Sequence, residues 1–180
     1  MPANVIFGTG PLGLAVARRL ASIGRASDFY GPYARQSKSG DSIFGRAVAG
    51  KSAQVYGNPD VLHTFTFIDD FAAGLVTLAQ RDEALGQVWH VPNAETVTTR
   101  RLVEMVFAEL GQRPRLITVP GPVIATLALF TPLMAGVKET LYQSERPWLV
   151  DHAKFARAFD AQPTRHQDAI AQTIRWFKQA

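Results

Sequence analysis

An apolar run that leads directly into a glycine-rich turn constrains the fold of this chain more than any other feature. Residues 4–13 read NVIFGTGPLG and place Gly8, Gly10 and Gly13 in the spacing G-x-G-x-x-G. Gly8 permits a tight turn, Gly10 lets the backbone approach a pyrophosphate, and Gly13 lets the following helix pack closely. The apolar spacing after the turn predicts that helix over residues 12–21. The stretch therefore predicts the strand, turn and helix that open a dinucleotide-binding fold.

The turn defines the first set of predicted cofactor-binding residues. A helix N-terminus offers free N–H groups and a partial positive charge to phosphates. The alternative is a glycine turn that only packs a helix against a strand, and the pattern favours the cofactor site over it. The predicted pyrophosphate-binding residues are Gly8, Thr9, Gly10, Pro11, Leu12 and Gly13.

Length and composition indicate one globular domain. The chain has 180 residues, 47% of them hydrophobic, which is enough to bury a substantial core. It contains no cysteine, so disulfides, thiolate metal sites and cysteine nucleophiles are excluded. The N-terminus lacks the charged and apolar regions of a signal peptide, and we expect a cytoplasmic protein.

Charge and hydropathy limit the classes of partner. Residues 1–51 contain seven Lys or Arg and two acidic residues, whereas the remainder is close to neutral. A basic N-terminal third suits a phosphate-bearing ligand, but no nucleic-acid-binding motif accompanies it, so no nucleic acid is expected. The most apolar stretch, residues 116–137, is interrupted by prolines and glycines. We interpret it as a buried helix or pocket wall and expect no membrane span.

Hydrophobic periodicity predicts alternating strands and helices, which indicates an α/β fold. The predicted strands cover residues 26–30, 53–56, 63–68, 86–91 and 116–119. The predicted helices after the first cover residues 42–49, 71–80, 98–110, 151–159 and 167–178.

Several stretches, taken in order, resemble one family. Besides the glycine motif, residues 25–32 read RASDFYGP and residues 63–72 read HTFTFIDDFA. Residues 86–92, the helix from Thr98 and residues 151–155 also fit. The chain resembles the extended or atypical short-chain dehydrogenases/reductases, the NAD-dependent epimerase/dehydratase group.

The resemblance implies a fold, a cofactor and a substrate class. Residues 1–180 would form one reduced Rossmann-like domain that lacks the middle strands. Residues 1–24 correspond to the first βα unit, and residues 25–180 to the C-terminal half of the family fold with its mixed α/β substrate lobe. NAD or NADP would be the cofactor, with Phe29 and Tyr30 near the nicotinamide. The substrate would be a nucleotide sugar or a small carbonyl compound.

The chain departs from the family at its catalytic residues. The family's Tyr-x-x-x-Lys pair is absent, because Ala34, Ser37, Asp60 and Arg146 stand four residues after the four tyrosines. No residue is therefore assigned a catalytic role. Two hypotheses follow: an NAD(P)-dependent oxidoreductase or epimerase, or an inactive reduced relative that binds a nucleotide weakly or serves as an interaction protein.

The remaining candidates have structural interpretations. Asp28 stands twenty residues after Gly8, where a ribose-binding acid is sought, but the resemblance places it in the substrate-side loop. Asp69 or Asp70 is expected to cap a helix. The four histidines lack metal-ligand spacing, and no metal site is predicted. Residues 146–148 are candidates for a substrate site.

The first strand poses a pairing problem, because its usual neighbours correspond to the absent segment. It would pair with residues 26–30, pair with another chain to form a homodimer, or remain loose; we favour the first.

Overall fold

The chain forms short strands connected by helices. The computed structural model describes residues 23–180, apart from the side chains of Leu133 and Met134, so the first predicted strand and its helix lie outside the described residues. The strands are β1 (Ile23–Arg25), β2 (Asp28–Tyr30), β3 (Ala53–Tyr56), β4 (Leu62–His63), β5 (Phe65–Phe67), β6 (Val88–His90), β7 (Val97–Thr98) and β8 (Leu116–Val119).

The helices vary from one turn to four. A π-helical segment, Gly40–Gly45, continues into α1, and a 3₁₀ turn, Asp82–Ala84, precedes β6. The helices are α1 (Arg46–Val48), α2 (Ile68–Gln80), α3 (Thr99–Glu109), α4 (Gly121–Leu127), α5 (Pro132–Thr140), α6 (Tyr142–Glu145), α7 (Ala153–Phe159) and α8 (His166–Gln179).

The strands pair with partners that are distant in the chain. β1 pairs with β6, β2 with β5 and β3 with β8, each in parallel, and β4 pairs antiparallel with β7. The β2–β5 register sets Asp28 opposite Phe65 and Tyr30 opposite Phe67. Parallel strands need long crossover connections, and the intervening helices supply them. This arrangement is that of an α/β fold.

The larger hydrophobic core lies between α3, α8, the π-helical segment and strands β2, β3 and β5. Both helices are amphipathic, because their apolar residues recur every three or four positions and form one buried face. The buried residues of α3 and α8 in this core are Leu102, Val103, Val106, Phe107, Ala169, Ile170, Ile174 and Phe177.

A smaller core joins α2, β6 and α7. It contains Leu78, Trp89 and Phe155, and Trp89 donates its indole N–H to the carbonyl oxygen of Ala84. α2 passes close to the end of β6 at Gly74, where an added Cβ would lie 2.5 Å from Cγ1 of Val91. The absence of a side chain at Gly74 therefore sets the distance between α2 and this core.

Most predicted elements are present, with shifts of one to three residues at their ends. β1 was not predicted, because three residues without alternation give no periodic signal and the strand exists through its pairing with β6. The predicted strand 63–68 is divided into β4 and β5, and the predicted helix 42–49 begins in the π-helical segment.

The interpretation of residues 116–137 as a buried helix or pocket wall is wrong for much of its length, although Val137 at its end lines a pocket. Leu127, Leu129 and Phe130 are exposed, and Phe130 retains 78% of its accessible surface. Only Ile124 of α4 is fully buried. The stretch has no polar face to mark its outer side, so its composition predicts burial without showing how much of it packs. Within residues 23–180, no helix is both long enough and apolar enough to cross a membrane.

Candidate functional site

Tyr30, one of the two aromatic residues predicted near a nicotinamide, has its side chain in the core. Its hydroxyl lies 2.9 Å from Nδ1 of His166, whose Nε2 lies 2.8 Å from the carbonyl oxygen of Glu95. A carbonyl oxygen only accepts, so Nε2 carries the proton and Nδ1 accepts from the Tyr30 hydroxyl. Burial and then the charges of Asp70 and Glu95 raise the pKa of Tyr30 above its ordinary value. Its phenol therefore stays protonated.

Phe29, the second predicted aromatic residue, faces an open groove on the other side of β2. It packs edge-to-face on Phe71, with ring centroids 5.1 Å apart. The groove has a volume of about 580 Å³ and is also lined by Tyr33, Ile68 and Trp176. Tyr33 is 83% exposed at a φ of 63°, in the left-handed region that few non-glycine residues occupy. Consecutive residues of one strand thus face different environments: Phe29 a groove and Tyr30 the core.

A separate pocket of about 300 Å³ is lined in part by Asp28, the first residue of β2. It is bounded by β2, the segment that leads into the π-helical turn, the end of β3 and the α5–α6 junction. Val137 and Leu141 form its apolar wall, and the other lining groups are polar. These are Asp28, Gln36, Ser37, Lys38, Ser42, Tyr56, Thr140, Gln143 and Ser144.

Asp28 forms a charge cluster at this pocket with His63 and Lys38. Its Oδ2 atom lies 2.8 Å from Nε2 of His63 and 3.3 Å from Nζ of Lys38. The side chain of His63 is 2% exposed, whereas those of Asp28 and Lys38 are 24% and 30% exposed. Burial by itself would raise the pKa of Asp28, but its contact with His63 and the charge of Lys38 outweigh burial and lower that pKa. Asp28 is therefore ionised at neutral pH.

The cluster and the neighbouring Ser27 contain buried polar atoms without a well-directed hydrogen bond. Asp28 Oδ2 and His63 Nε2 are close enough for electrostatic attraction, but neither makes a hydrogen bond of good geometry, and Ser27 Oγ makes none. Such atoms are uncommon in folded proteins. The Ser27 backbone is held in place, because its N–H donates to Thr66 Oγ1, which donates to Asn93 Oδ1.

The predicted helix cap at Asp69 or Asp70 is wrong in its detail. α2 begins at Ile68 with Phe67 as its N-cap residue, and no side chain caps it. Asp70 instead accepts two hydrogen bonds from Thr164, one from the backbone N–H and one from Oγ1. Asp70 therefore attaches the loop before α8 to the start of α2. Both acidic residues remain in the first turn, where the helix dipole favours them.

The other sequence candidates lie apart from the pocket. Residues 146–148 do not line it; the backbone of Trp148 instead pairs with that of Leu62 and Thr64 beside β4. His90 contacts the carbonyl oxygen of Asp151. In the described part of the chain, no three His, Asp or Glu side chains come together as metal ligands would. The predicted pyrophosphate turn, Gly8–Gly13, lies outside the described residues.

No pattern in the sequence groups Asp28, Lys38 and His63. Asp28 and His63 meet because β2 and β5 pair in parallel. This pairing sets Asp28 opposite Phe65, and His63 lies two residues before Phe65 in the chain. The available signal was the resemblance of residues 25–32 to a substrate-side loop, which placed Asp28 away from the ribose position. Neither Lys38 nor Tyr56 belongs to a motif, and a single polar residue carries no spacing signal.

Comparisons with known proteins identify the fold. No family profile and no curated protein matches the chain. Among solved structures, the dTDP-glucose 4,6-dehydratase of Bacillus anthracis, in complex with NAD, has a TM-score of 0.61 at 16% identity. The match covers 87% of this chain and 44% of that one. The UDP-glucuronic acid 4-epimerase of Bacillus cereus, in complex with UDP-glucuronic acid and NAD, has a TM-score of 0.65 at 18% identity, covering 88% and 45%.

A third match, Pal from Bacillus thuringiensis, has a TM-score of 0.67 at 14% identity and covers 89% of this chain and 46% of that one. The chain therefore has the Rossmann-type α/β fold of nucleotide-sugar epimerases and dehydratases, which confirms the predicted fold class and the resemblance at the level of fold. It spans slightly less than half the length of these solved chains.

Proposed function

We propose that the chain is an NAD(P)-dependent oxidoreductase of the epimerase/dehydratase kind, acting on a nucleotide sugar or a small carbonyl compound. The observation that carries the proposal is the pocket at Asp28, in a fold whose solved examples include complexes with NAD and UDP-glucuronic acid. At 14–20% identity these structures establish the fold, and the activity is our inference from it.

Among the described residues, the aromatic groove at Phe29 is the feature that fits a nicotinamide cofactor. The groove at Phe29 is open and has aromatic walls, which suits a planar ring. Gly8–Gly13 would hold the pyrophosphate, and bound nicotinamide would supply a hydride donor or acceptor. Phe29 and Tyr33 would orient its ring, while the polar groups of the Asp28 pocket would hold the substrate.

The second candidate is a non-catalytic protein that binds a nucleotide weakly or acts as an interaction partner. One observation favours it: the family's proton-transfer pair is missing from the sequence, and Tyr30 does not replace it. The hydroxyl of Tyr30 is bound to His166 and its pKa is raised, whereas a catalytic tyrosine needs a lowered pKa. Under this alternative the pocket and the turn would bind ligands without turnover.

Thermal unfolding with NAD⁺, NADP⁺, NADH and NADPH tests cofactor binding. A specific ligand at 100 times its Kd stabilises the folded state by about 2.7 kcal/mol, and we expect a shift with at least one of the four. Gly10→Trp should abolish that shift by filling the pyrophosphate turn. Gly136→Ala is the matched control, since an added Cβ there meets nothing within 4 Å.

An activity assay then distinguishes the oxidoreductase from the non-catalytic protein. It follows the change in NADH fluorescence with a set of carbonyl compounds as substrates. Turnover that is lost in Gly10→Trp supports the oxidoreductase, whereas binding without turnover supports the non-catalytic protein. If none of the four cofactors shifts the unfolding temperature, both the oxidoreductase and the non-catalytic nucleotide-binding protein are contradicted.

Two further proposals follow from the sequence. We propose a homodimer, because the first predicted strand lacks its usual neighbours in the sequence and would recruit a strand of a second copy; light scattering measures the mass directly. A cytoplasmic location is proposed because cysteine is absent, as suits a reducing compartment.

A further inference from the structure

The charges that line the Asp28 pocket cancel. Among its lining residues in the described chain, the charged ones are Asp28 and Lys38, and they form an ion pair at 3.3 Å. A diphosphate requires cations or several free N–H donors, typically from Arg, Lys or a helix N-terminus. Lys38 is already engaged, and a diphosphate placed here would face the ionised carboxylate of Asp28. Among the residues that the structure describes, the pocket therefore offers no uncompensated cation to a phosphate group.

The remaining lining groups suit hydroxyl groups. Serine, threonine and tyrosine hydroxyls and glutamine amides each donate and accept hydrogen bonds, as do the hydroxyls of a polyol or sugar. Asp28 adds a strong acceptor: its Oδ2 is buried against His63 and Lys38, which leaves Oδ1 to receive a ligand hydroxyl. A volume of about 300 Å³ lies at the small end of the range for ligand pockets.

We infer that this pocket binds a small, phosphate-free polyhydroxy compound through Asp28, and that Lys38 positions Asp28 instead of contacting phosphate. The inference rests on the proposed function and narrows its substrate from a nucleotide sugar to a small hydroxylated carbonyl compound. Val137 and Leu141 provide the apolar surface that the carbon face of such a compound contacts.

Saturation-transfer NMR with D-glucose and UDP-glucose, in the full chain, tests the inference. We expect D-glucose to bind, and UDP-glucose to bind no more tightly than D-glucose. Asp28→Asn should weaken D-glucose binding by about threefold or more and strengthen UDP-glucose binding by a similar factor, because it removes the carboxylate and releases Lys38. Asp60→Asn is the control: it changes net charge equally, but Asp60 is exposed and paired with Arg100.

Lys38→Met provides a second test that leaves Asp28 in place. Because Lys38 positions Asp28 and does not contact phosphate, Lys38→Met should weaken the binding of D-glucose and of UDP-glucose by a similar factor. The inference is overturned if D-glucose does not bind, or if UDP-glucose binds more tightly than D-glucose and loses that affinity in Lys38→Met. The cofactor titration is independent, because its variant lies at Gly10, so failure here leaves the proposed oxidoreductase testable.

Discussion

Asp28 determines the chemistry of the pocket, because it is ionised and in contact with two different partners. Lys38 balances its charge from the partly exposed side, and His63 lies against the same oxygen from the buried side. Burial opposes the lowering of this pKa, and the contacts with His63 and Lys38 together outweigh it. The carboxylate is thus held in the charged form by two neighbours that the chain supplies from separate elements.

The first prediction concerns the pH dependence of stability at Asp28. A carboxyl group whose pKa is lowered in the folded state stabilises the protein above its unfolded pKa, and that stabilisation is lost as the pH falls through the folded value. We expect Asp28→Asn to lower the free energy of unfolding by about 1–2 kcal/mol at pH 7. The difference from wild type should shrink as the pH falls below the ordinary value of 3.8.

Urea denaturation of both proteins between pH 7 and pH 2.5 measures this difference. Asp60→Asn serves as the exposed control, with little effect on stability at pH 7. A deficit in Asp28→Asn that persists undiminished at the lowest pH would show that the missing carboxylate charge is not its cause.

The second prediction concerns the hydroxyl of Tyr30. Tyr30→Phe removes the donor to His166 Nδ1 and leaves a buried acceptor without a partner. We expect the free energy of unfolding to fall by about 1–2 kcal/mol, measured by urea denaturation at pH 7. Tyr142→Phe is the matched control, because Tyr142 is exposed and its loss of a hydroxyl should cost less than about 0.5 kcal/mol. Equal stability of the two variants would contradict the buried hydrogen bond.

Among the helices, those with one regular apolar face could be predicted well from the sequence. α3 and α8 follow the helical period, and their apolar residues form the larger core. α4 and α5 could not be placed in this way, because an almost uniformly apolar segment has no polar face to mark the solvent side. The close contact at Gly74 cannot be predicted from the sequence either, because a glycine inside a helix does not show which strand lies against it.

The third prediction tests the close contact between α2 and β6. Gly74→Ala places a Cβ 2.5 Å from Val91 Cγ1, and we expect overpacking to destabilise the protein by about 1–3 kcal/mol. Gly136→Ala on α5 meets no neighbouring atom and should be neutral or stabilising by up to about 1 kcal/mol. Thermal and urea unfolding measure both.

A double variant distinguishes overpacking from other causes. Val91→Ala removes the methyl groups that the new Cβ meets, so the Gly74→Ala substitution should cost less in that background than in the wild type. An identical cost in both backgrounds would indicate that Val91 is not the obstacle.

For the whole molecule, the sequence predicts the order and type of most elements and, through its resemblance, the fold. It does not predict which strands pair, because a parallel partner lies on the far side of one or more helices and leaves no local signal. The site depends on those pairings. Asp28 reaches His63 only through the β2–β5 ladder, and Asp70 reaches Thr164 across 94 residues. The sequence therefore marks Asp28 as a candidate, but it does not show that Asp28 is grouped with Lys38 and His63.

The parallel pairing of distant strands has a consequence for the order in which the protein can fold during synthesis. β1 leaves the ribosome long before β6, and β3 long before β8, so each early strand waits for its partner. At about 5–20 residues per second, that wait lasts roughly 3–13 seconds. During this interval the apolar side chains of β3 and β5 are not yet packed against all the elements of the larger core. The nascent chain is therefore exposed to aggregation until α8, the last helix of the larger core, has been made.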